Sequence, residues 1–221
     1  PEVPEEPEEV KPLAAKPGDD VAGFTVVKRL GRGSTAVALL ARDGDDQQRV
    51  LKIAADPDRN DRVGDEGEVL AKLRDRTIIA IHGKPIDVAG HTGLVLSYAA
   101  EGTLAHRLHN QGRLSLGDLE RWGSDLLSAV SYLEREATPH RDIKPENLGI
   151  IEAGARKQRH LVLMDFSLSR APADQLHVGT RPYLDPFLDP QYGRKRWDLA
   201  GDRFAAAMVL HEMAAGTLPF W

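Results

Sequence analysis

The stretch His140-Arg141-Asp142-Ile143-Lys144-Pro145-Glu146-Asn147, followed after a short hairpin-like run by Met164-Asp165-Phe166-Ser167, sets the reading of the whole chain. Asp142, Asn147 and Asp165 offer hard oxygen atoms as ligands or proton acceptors, and Lys144 is a cation placed to neutralise charge on a transferring group. Each residue taken singly also reads as a chance charge in a solvated loop. The ordered set does not. It suits Mg2+-dependent phosphoryl transfer, in which positioning and electrostatic stabilisation supply most of the rate.

Upstream, Leu30-Gly31-Arg32-Gly33-Ser34-Thr35-Ala36-Val37 lies between two predicted strands. Glycines let a backbone approach a ligand closely, so a strand-turn-strand of this kind can fold over phosphates. By themselves two glycines in a hairpin are more often just a turn. The stretch lacks the Gly-Lys-Ser ending of a P-loop and no helix follows it directly, which argues against the Walker and Rossmann sites. Val50-Leu51-Lys52-Ile53 sets a lysine inside an apolar strand, where an ammonium either faces solvent or meets an anion. Glu66, on the first strong helical segment after it, can supply that anion.

The 221 residues are 41% hydrophobic and 29% charged, with 29 Lys and Arg against 34 Asp and Glu for a net charge of −5. Bulk attraction to nucleic acid or anionic lipid is a poor default for such a chain. Its longest apolar run, residues 204–210, is too short to span a bilayer. The absence of cysteine excludes disulfides, thiolate zinc sites and thiol nucleophiles. No secretory signal opens the chain, which points to a cytoplasmic protein. Pro1 in place of Met, and an apolar end at Trp221, suggest a piece of a longer polypeptide. Residues 1–17 are rich in Pro and Glu, so 1–23 is read as a disordered linker. Strands are predicted over 24–30, 37–42, 50–54, 78–81 and 94–98, and a helix over 65–73. Ser115 with Asp118 starts a long helix whose apolar positions are Leu116, Leu119, Trp122, Leu126, Val130 and Leu133. A second long helix, 202–215, is apolar nearly all round and should be buried. The organisation is a β-rich part over 24–96, a hinge over 97–102 and a helical part over 103–221.

Taken together the motifs resemble the eukaryotic-like (Hanks-type) serine/threonine protein kinases, a family also found in bacteria, over 24–221, about nine-tenths of the chain. The resemblance implies an α+β, bilobal protein-kinase-like fold with a helical lobe that ends early. By it, Leu30, Gly31 and Gly33 cover the nucleotide phosphates, and Lys52, paired to Glu66, holds the α and β phosphates. Ala38, Val50 and Gly149 border the adenine, Leu96 is the gatekeeper, and the Ser97 carbonyl and Ala99 amide meet the adenine edge. Asp142 orients the substrate hydroxyl and accepts its proton, Lys144 steadies the γ phosphate, and Asn147 and Asp165 bind Mg2+, with Mn2+ as an alternative. Gly179-Thr180-Arg181-Pro182-Tyr183 resembles the substrate-facing loop, Asp185-Pro186-Phe187 the end of the activation segment, and Asp202 the helix aspartate that holds the catalytic loop. The partners implied are ATP, protein substrates and further domains of the same polypeptide, with no direct nucleic-acid or membrane binding. More narrowly, 139–150, 163–170 and 179–188 resemble the W kinases of phage growth limitation and bacteriophage exclusion in bacteria.

The chain departs from that pattern at several positions. Ala36 stands for the third glycine, and Ala38 and Val50 exchange the usual valine and alanine over the adenine, which roughly conserves volume. Gly149 replaces a leucine beneath it, so a roomier adenine site with weaker ATP binding is expected unless a neighbour fills the space. Ser167 replaces a glycine and should restrict the motif's exchange between forms. Phe187 replaces the glutamate that closes the activation segment. Arg141 can bind a phosphate on the activation segment, though the hydroxyls there are few: Ser167, Ser169, Thr180 and Tyr183. Two alternatives compete with an active kinase, a pseudokinase or nucleotide-binding regulatory module and a small-molecule phosphotransferase. Lys144 and residues 179–186 argue for a protein substrate.

Overall fold

The computed structural model describes residues 12–154, 157–175, 179–188 and 196–219. These divide into two compact units, one of residues up to Gly67 with Ile81–Tyr98, the other of Glu68–Ala80 with the residues from Ala99 on. Both sheet and helix are present in amount, as the α+β class requires.

The first unit is an antiparallel sheet of β1 (Asp20–Val21), β2 (Phe24–Arg32), β3 (Ala36–Arg42), β4 (Gln48–Ala54), β5 (Ile86–Val88) and β6 (His91–Ser97), in the order β1-β2-β3-β4-β6-β5. Side chains alternate between the two faces of a strand, and directly opposite residues share one. Val37, Leu39, Ala41, Leu51, Ile53 and Val95 therefore build a core on one face, joined by Val26 and Val88. The other face carries the row Gly31, Ala38, Lys52 and Leu94 and the adjoining row Leu40, Val50 and Leu96. Helix α1 (Asn60–Leu70) starts earlier than the predicted 65–73. It approaches this second face closely at Gly67, where a Cβ would lie 2.7 Å from Leu94 Cδ2.

The linker expected over 1–23 is corrected from Pro12 onward. Pro12 is buried in a 3-10 turn (Pro12–Ala14), Ala15 and Val21 are 6% and 4% exposed in the sheet core, and the Arg29 guanidinium donates to the Leu13 carbonyl. The Pro/Glu-rich part of that expectation, 1–11, lies outside the described residues. The strand predicted at 78–81 is also corrected. Ile78 bridges Leu163 and Ile81 bridges Leu96, so the run's two ends pair with different strands and no ladder builds.

The second unit contains α2 (Leu104–Gln111), α3 (Leu116–Arg135), the hairpin of β7 (Leu148–Ala153) and β8 (Gln158–Leu163), and α4 (Ala200–Ala215). Ser115 caps α3, its hydroxyl accepting the Asp118 amide. Trp122, Leu126, Ala129, Val130 and Leu133 line the buried face of that helix, whereas Leu116, expected with them, is 84% exposed on the first turn. Helix α4 buries Gly201, Asp202, Ala205, Ala206, Met208, Val209 and Met213, in keeping with its near-continuous apolar sequence. Among the described residues no helix is long and apolar enough to cross a membrane.

Candidate active site

In the first unit, Lys52 Nζ lies 2.6 Å from Glu66 Oε2, with the glutamate side chain fully buried and the lysine side chain 14% exposed. A carboxylate so placed gives the strand lysine the anion it needs, and removing either partner of such a pair costs about 3–5 kcal/mol because the other stays buried and charged. Ala38 and Gly31 follow Lys52 across the sheet in register. The turn above them is closed by the Gly33 amide on the Ala36 carbonyl at 2.9 Å, and the space around Gly31 is open. Leu30 is 41% exposed at that end of β2. Val50 pairs with Leu96 on the same face, and the Ser97 hydroxyl bonds the His82 ring at 2.9 Å. Ala36, in the third-glycine position, sits in the β3–β4 ladder opposite Ala54 without a positive φ.

The second unit assembles the loop chemistry. The amides of His140 and Arg141 donate to the two carboxylate oxygens of Asp202 at 2.7 and 2.8 Å. Burial pushes the Asp202 carboxyl above the usual range, and the amides of His140 and Arg141 together with the Arg141 charge hold it back. The Asp142 amide donates to His140 Nδ1 at 3.2 Å, so the ring proton sits on Nε2 and is given to the Met164 carbonyl at 3.0 Å. The same ring meets Phe166 edge-on at 4.7 Å. The loop following Asp142 and the motif at Asp165 are thereby locked to one another, an arrangement completed by the Met164 amide on the Asn147 carbonyl at 2.8 Å.

Asp142 is held on all sides. Its Oδ2 is 2.7 Å from Lys144 Nζ and 3.1 Å from Asn147 Nδ2, its carbonyl accepts the same Asn147 nitrogen at 2.8 Å, and its Oδ1 accepts the Thr180 hydroxyl at 2.7 Å. Lys144 in turn donates to that hydroxyl at 2.8 Å. Thr180, expected only as part of the substrate-facing loop, therefore joins the acid and the cation. Its signal was the preceding Gly179, at φ +134°, where a Cβ would come within 2.6 Å of the Arg141 carbonyl. Only glycine lets the segment approach the catalytic loop that closely. Tyr183, three residues on, donates to Glu212 at 2.7 Å, and its phenol is pushed far above its ordinary value by burial first and by that carboxylate second.

Asp165 adopts the left-handed region at φ +63°, while Ser167 does not have a positive φ, so a serine in place of glycine is unstrained in this conformation. Both described side-chain hydrogen bonds of Asn147 use Nδ2, which leaves Oδ1 as an acceptor. Asp165 and Asn147 are oxygen donors of the kind Mg2+ takes. Among the described residues there is no cluster of three or more His, Cys, Asp or Glu that could hold a metal by itself, so a cation here would draw on these two side chains and on substrate phosphates.

The roomier adenine floor expected at Gly149 is corrected. A Cβ on Gly149 would lie 2.7 Å from Ala99 Cβ and 2.7 Å from Met164 Sδ. The Met164 thioether occupies the volume that a side chain at 149 would fill, a use of methionine as a gap-filler. Met164 was quoted in the motif without a role, and nothing local in the sequence links it to Gly149; only the hairpin brings them together. Phe187, where a glutamate was expected, is 58% exposed, with its amide on Asp185 Oδ1 at 2.9 Å.

Residues 24–221 match the family described as protein kinase domain. The chain is 38% identical over 238 aligned positions to Probable kinase PglW of Streptomyces coelicolor, covering 95% of this chain and 15% of that protein. It is 32% identical to Probable serine/threonine-protein kinase PknB of Bifidobacterium longum, over 70% of this chain and 24% of that protein, and 29% identical to Ribosomal protein S6 kinase alpha-6 of Danio rerio, over 91% and 28%. It thus spans between about a seventh and less than a third of the length of these relatives. With the ordered motifs, the catalytic-loop geometry and a match over nearly all of its length, the chain belongs to the protein kinase domain family.

Proposed function

We propose that this domain is an active serine/threonine kinase that transfers the γ phosphate of ATP to protein hydroxyls. The observation that carries the reading is the Asp142 carboxylate, gripped by Lys144 and Thr180 at 2.7 Å each. An aspartate held in one orientation can take the proton of a substrate hydroxyl as the oxygen attacks phosphorus. Lys144, a cation beside that oxygen, stabilises charge as it develops on the transferring group. Lys52, fixed by Glu66, binds the nucleotide's α and β phosphates under the Gly31–Gly33 turn, and Ala38 and Val50, on the same sheet face, border the base. Mg2+, or Mn2+ in its place, would be held by Asp165 and Asn147 and would neutralise the phosphates when bound. The likeness to PglW and PknB, of whose length the chain spans 15% and 24%, supports a bacterial module of a larger protein, and the narrower resemblance to W kinases supports a place in phage defence.

The test is phosphate transfer from labelled ATP with Mg2+, comparing the protein with Asp142→Asn and Lys52→Ala. Transfer by the native protein alone is expected; equal signals from all three overturn the reading.

A further inference from the structure

Arg141 is 6% exposed and takes a left-handed backbone, φ 71°, beside Asp142. A buried guanidinium normally meets a carboxylate or a phosphate. Among the described residues no carboxylate lies within ion-pair distance of this one. Its Nη1 donates to the Pro172 carbonyl at 3.0 Å, its Cζ lies 5.1 Å from the centre of the Trp197 ring, and its Nε is buried without a described partner. The Trp197 amide donates to the next carbonyl of the same segment, Ala173, at 2.7 Å. Residues 172 and 173 are thus clamped between the arginine and the tryptophan, whose ring faces that same arginine.

The seat of the ring is built for it. Trp197 is 7% exposed against Leu188, and a Cβ on Gly201 of α4 would fall 2.8 Å from its Cζ2. The face of an indole is the strongest cation-binding surface among side chains. It gives the buried cation a direct contact, with the Asp202 carboxylate acting on it from beyond ion-pair distance, and a phosphate brought to Arg141 would have to displace the ring.

The hydroxyls of the segment are buried or engaged. Ser169 is 7% exposed, its Oγ buried without a described partner, Thr180 is shared by Lys144 and Asp142, Tyr183 is 9% exposed and bonded to Glu212, and Ser167 lies inside the Asp165 motif.

We infer that Trp197 is a positioning residue that stands at Arg141 where an activation-segment phosphate would stand, so that the catalytic loop is aligned without phosphorylation. This rests on the kinase reading above and concerns its regulation. Asp142 follows Arg141 directly, so releasing the guanidinium shifts the loop that carries the carboxylate.

The experiment uses the full chain treated with a phosphatase and shown phosphate-free by mass spectrometry, then assayed for initial rate on Mg·ATP against untreated protein. Equal initial rates are expected. Trp197→Leu should lower kcat roughly tenfold to a hundredfold with KM for ATP unchanged, and Trp197→Phe, which keeps an aromatic face, should restore most of that rate. A treated protein that is inactive until it is rephosphorylated overturns the inference, whatever the variants do, as does a Leu variant as fast as the Phe variant. A native protein inactive both before and after treatment overturns the kinase reading itself, and the inference with it.

Discussion

Lys52 and Asp142 are both held charges, and the two units hold them in different ways. Lys52 is held by the buried carboxylate of Glu66 at 2.6 Å, on a helix brought near the sheet by a glycine at position 67. Asp142 depends on three donors, Lys144 and Asn147 from its own loop and Thr180 from 38 positions on, with the loop tied to Asp202 through two amides. Breaking a buried ion pair is strongly destabilising, whereas a hydrogen-bonded network that loses one member keeps its remaining bonds. Variants should therefore separate the two sites sharply.

The largest effect is expected at the buried ion pair. Glu66→Gln removes the buried carboxylate beside Lys52 and should cost about 3–5 kcal/mol of stability, read by denaturant unfolding, together with a fall in nucleotide affinity. Thr180→Val removes the two bonds of that hydroxyl, the one given to Asp142 and the one accepted from Lys144. It should cost about 1.5–3 kcal/mol in the barrier to transfer, and Thr180→Ser should recover it, as steady-state kinetics would show. Gly149→Leu forces a side chain against Ala99 Cβ and Met164 Sδ, each 2.7 Å from its Cβ. That variant should lose about 1–3 kcal/mol by overpacking, seen in thermal unfolding, and part of the loss should return in the Met164→Ala background. Leu116→Ala, at a residue 84% exposed, should change stability by no more than about 0.5 kcal/mol. A Thr180→Val effect as large as that of Glu66→Gln would erase the distinction between pair and network.

The sheet half was legible because its signals are local. Alternating β-branched residues gave β2, β3, β4 and β6, and a lysine in an apolar strand followed by a helical glutamate gave the pair. The loop half was legible as a set of residue types, but its partners come from far along the chain. Thr180 reaches Asp142 across 38 positions and Asp202 reaches the His140 amide across 62. The Met164 thioether under Gly149 depends on hairpin register, which no residue type announces. At the N-terminus, composition misled. Leu13, Ala15 and Val21 pack into the sheet core, yet they lie next to a Pro/Glu run that dominates any window drawn over them. Burial of a few small apolar side chains outweighed that bias.

The central claim is that the network around Asp142 acts in transfer and not in nucleotide binding. The most direct measurement is Asp142→Asn, with Mg·ATP affinity and the single-turnover rate of phosphate transfer determined on the same preparation. An affinity unchanged and a rate reduced by roughly 10²–10⁴ is the predicted result. A variant that transfers phosphate as fast as the native protein would contradict it.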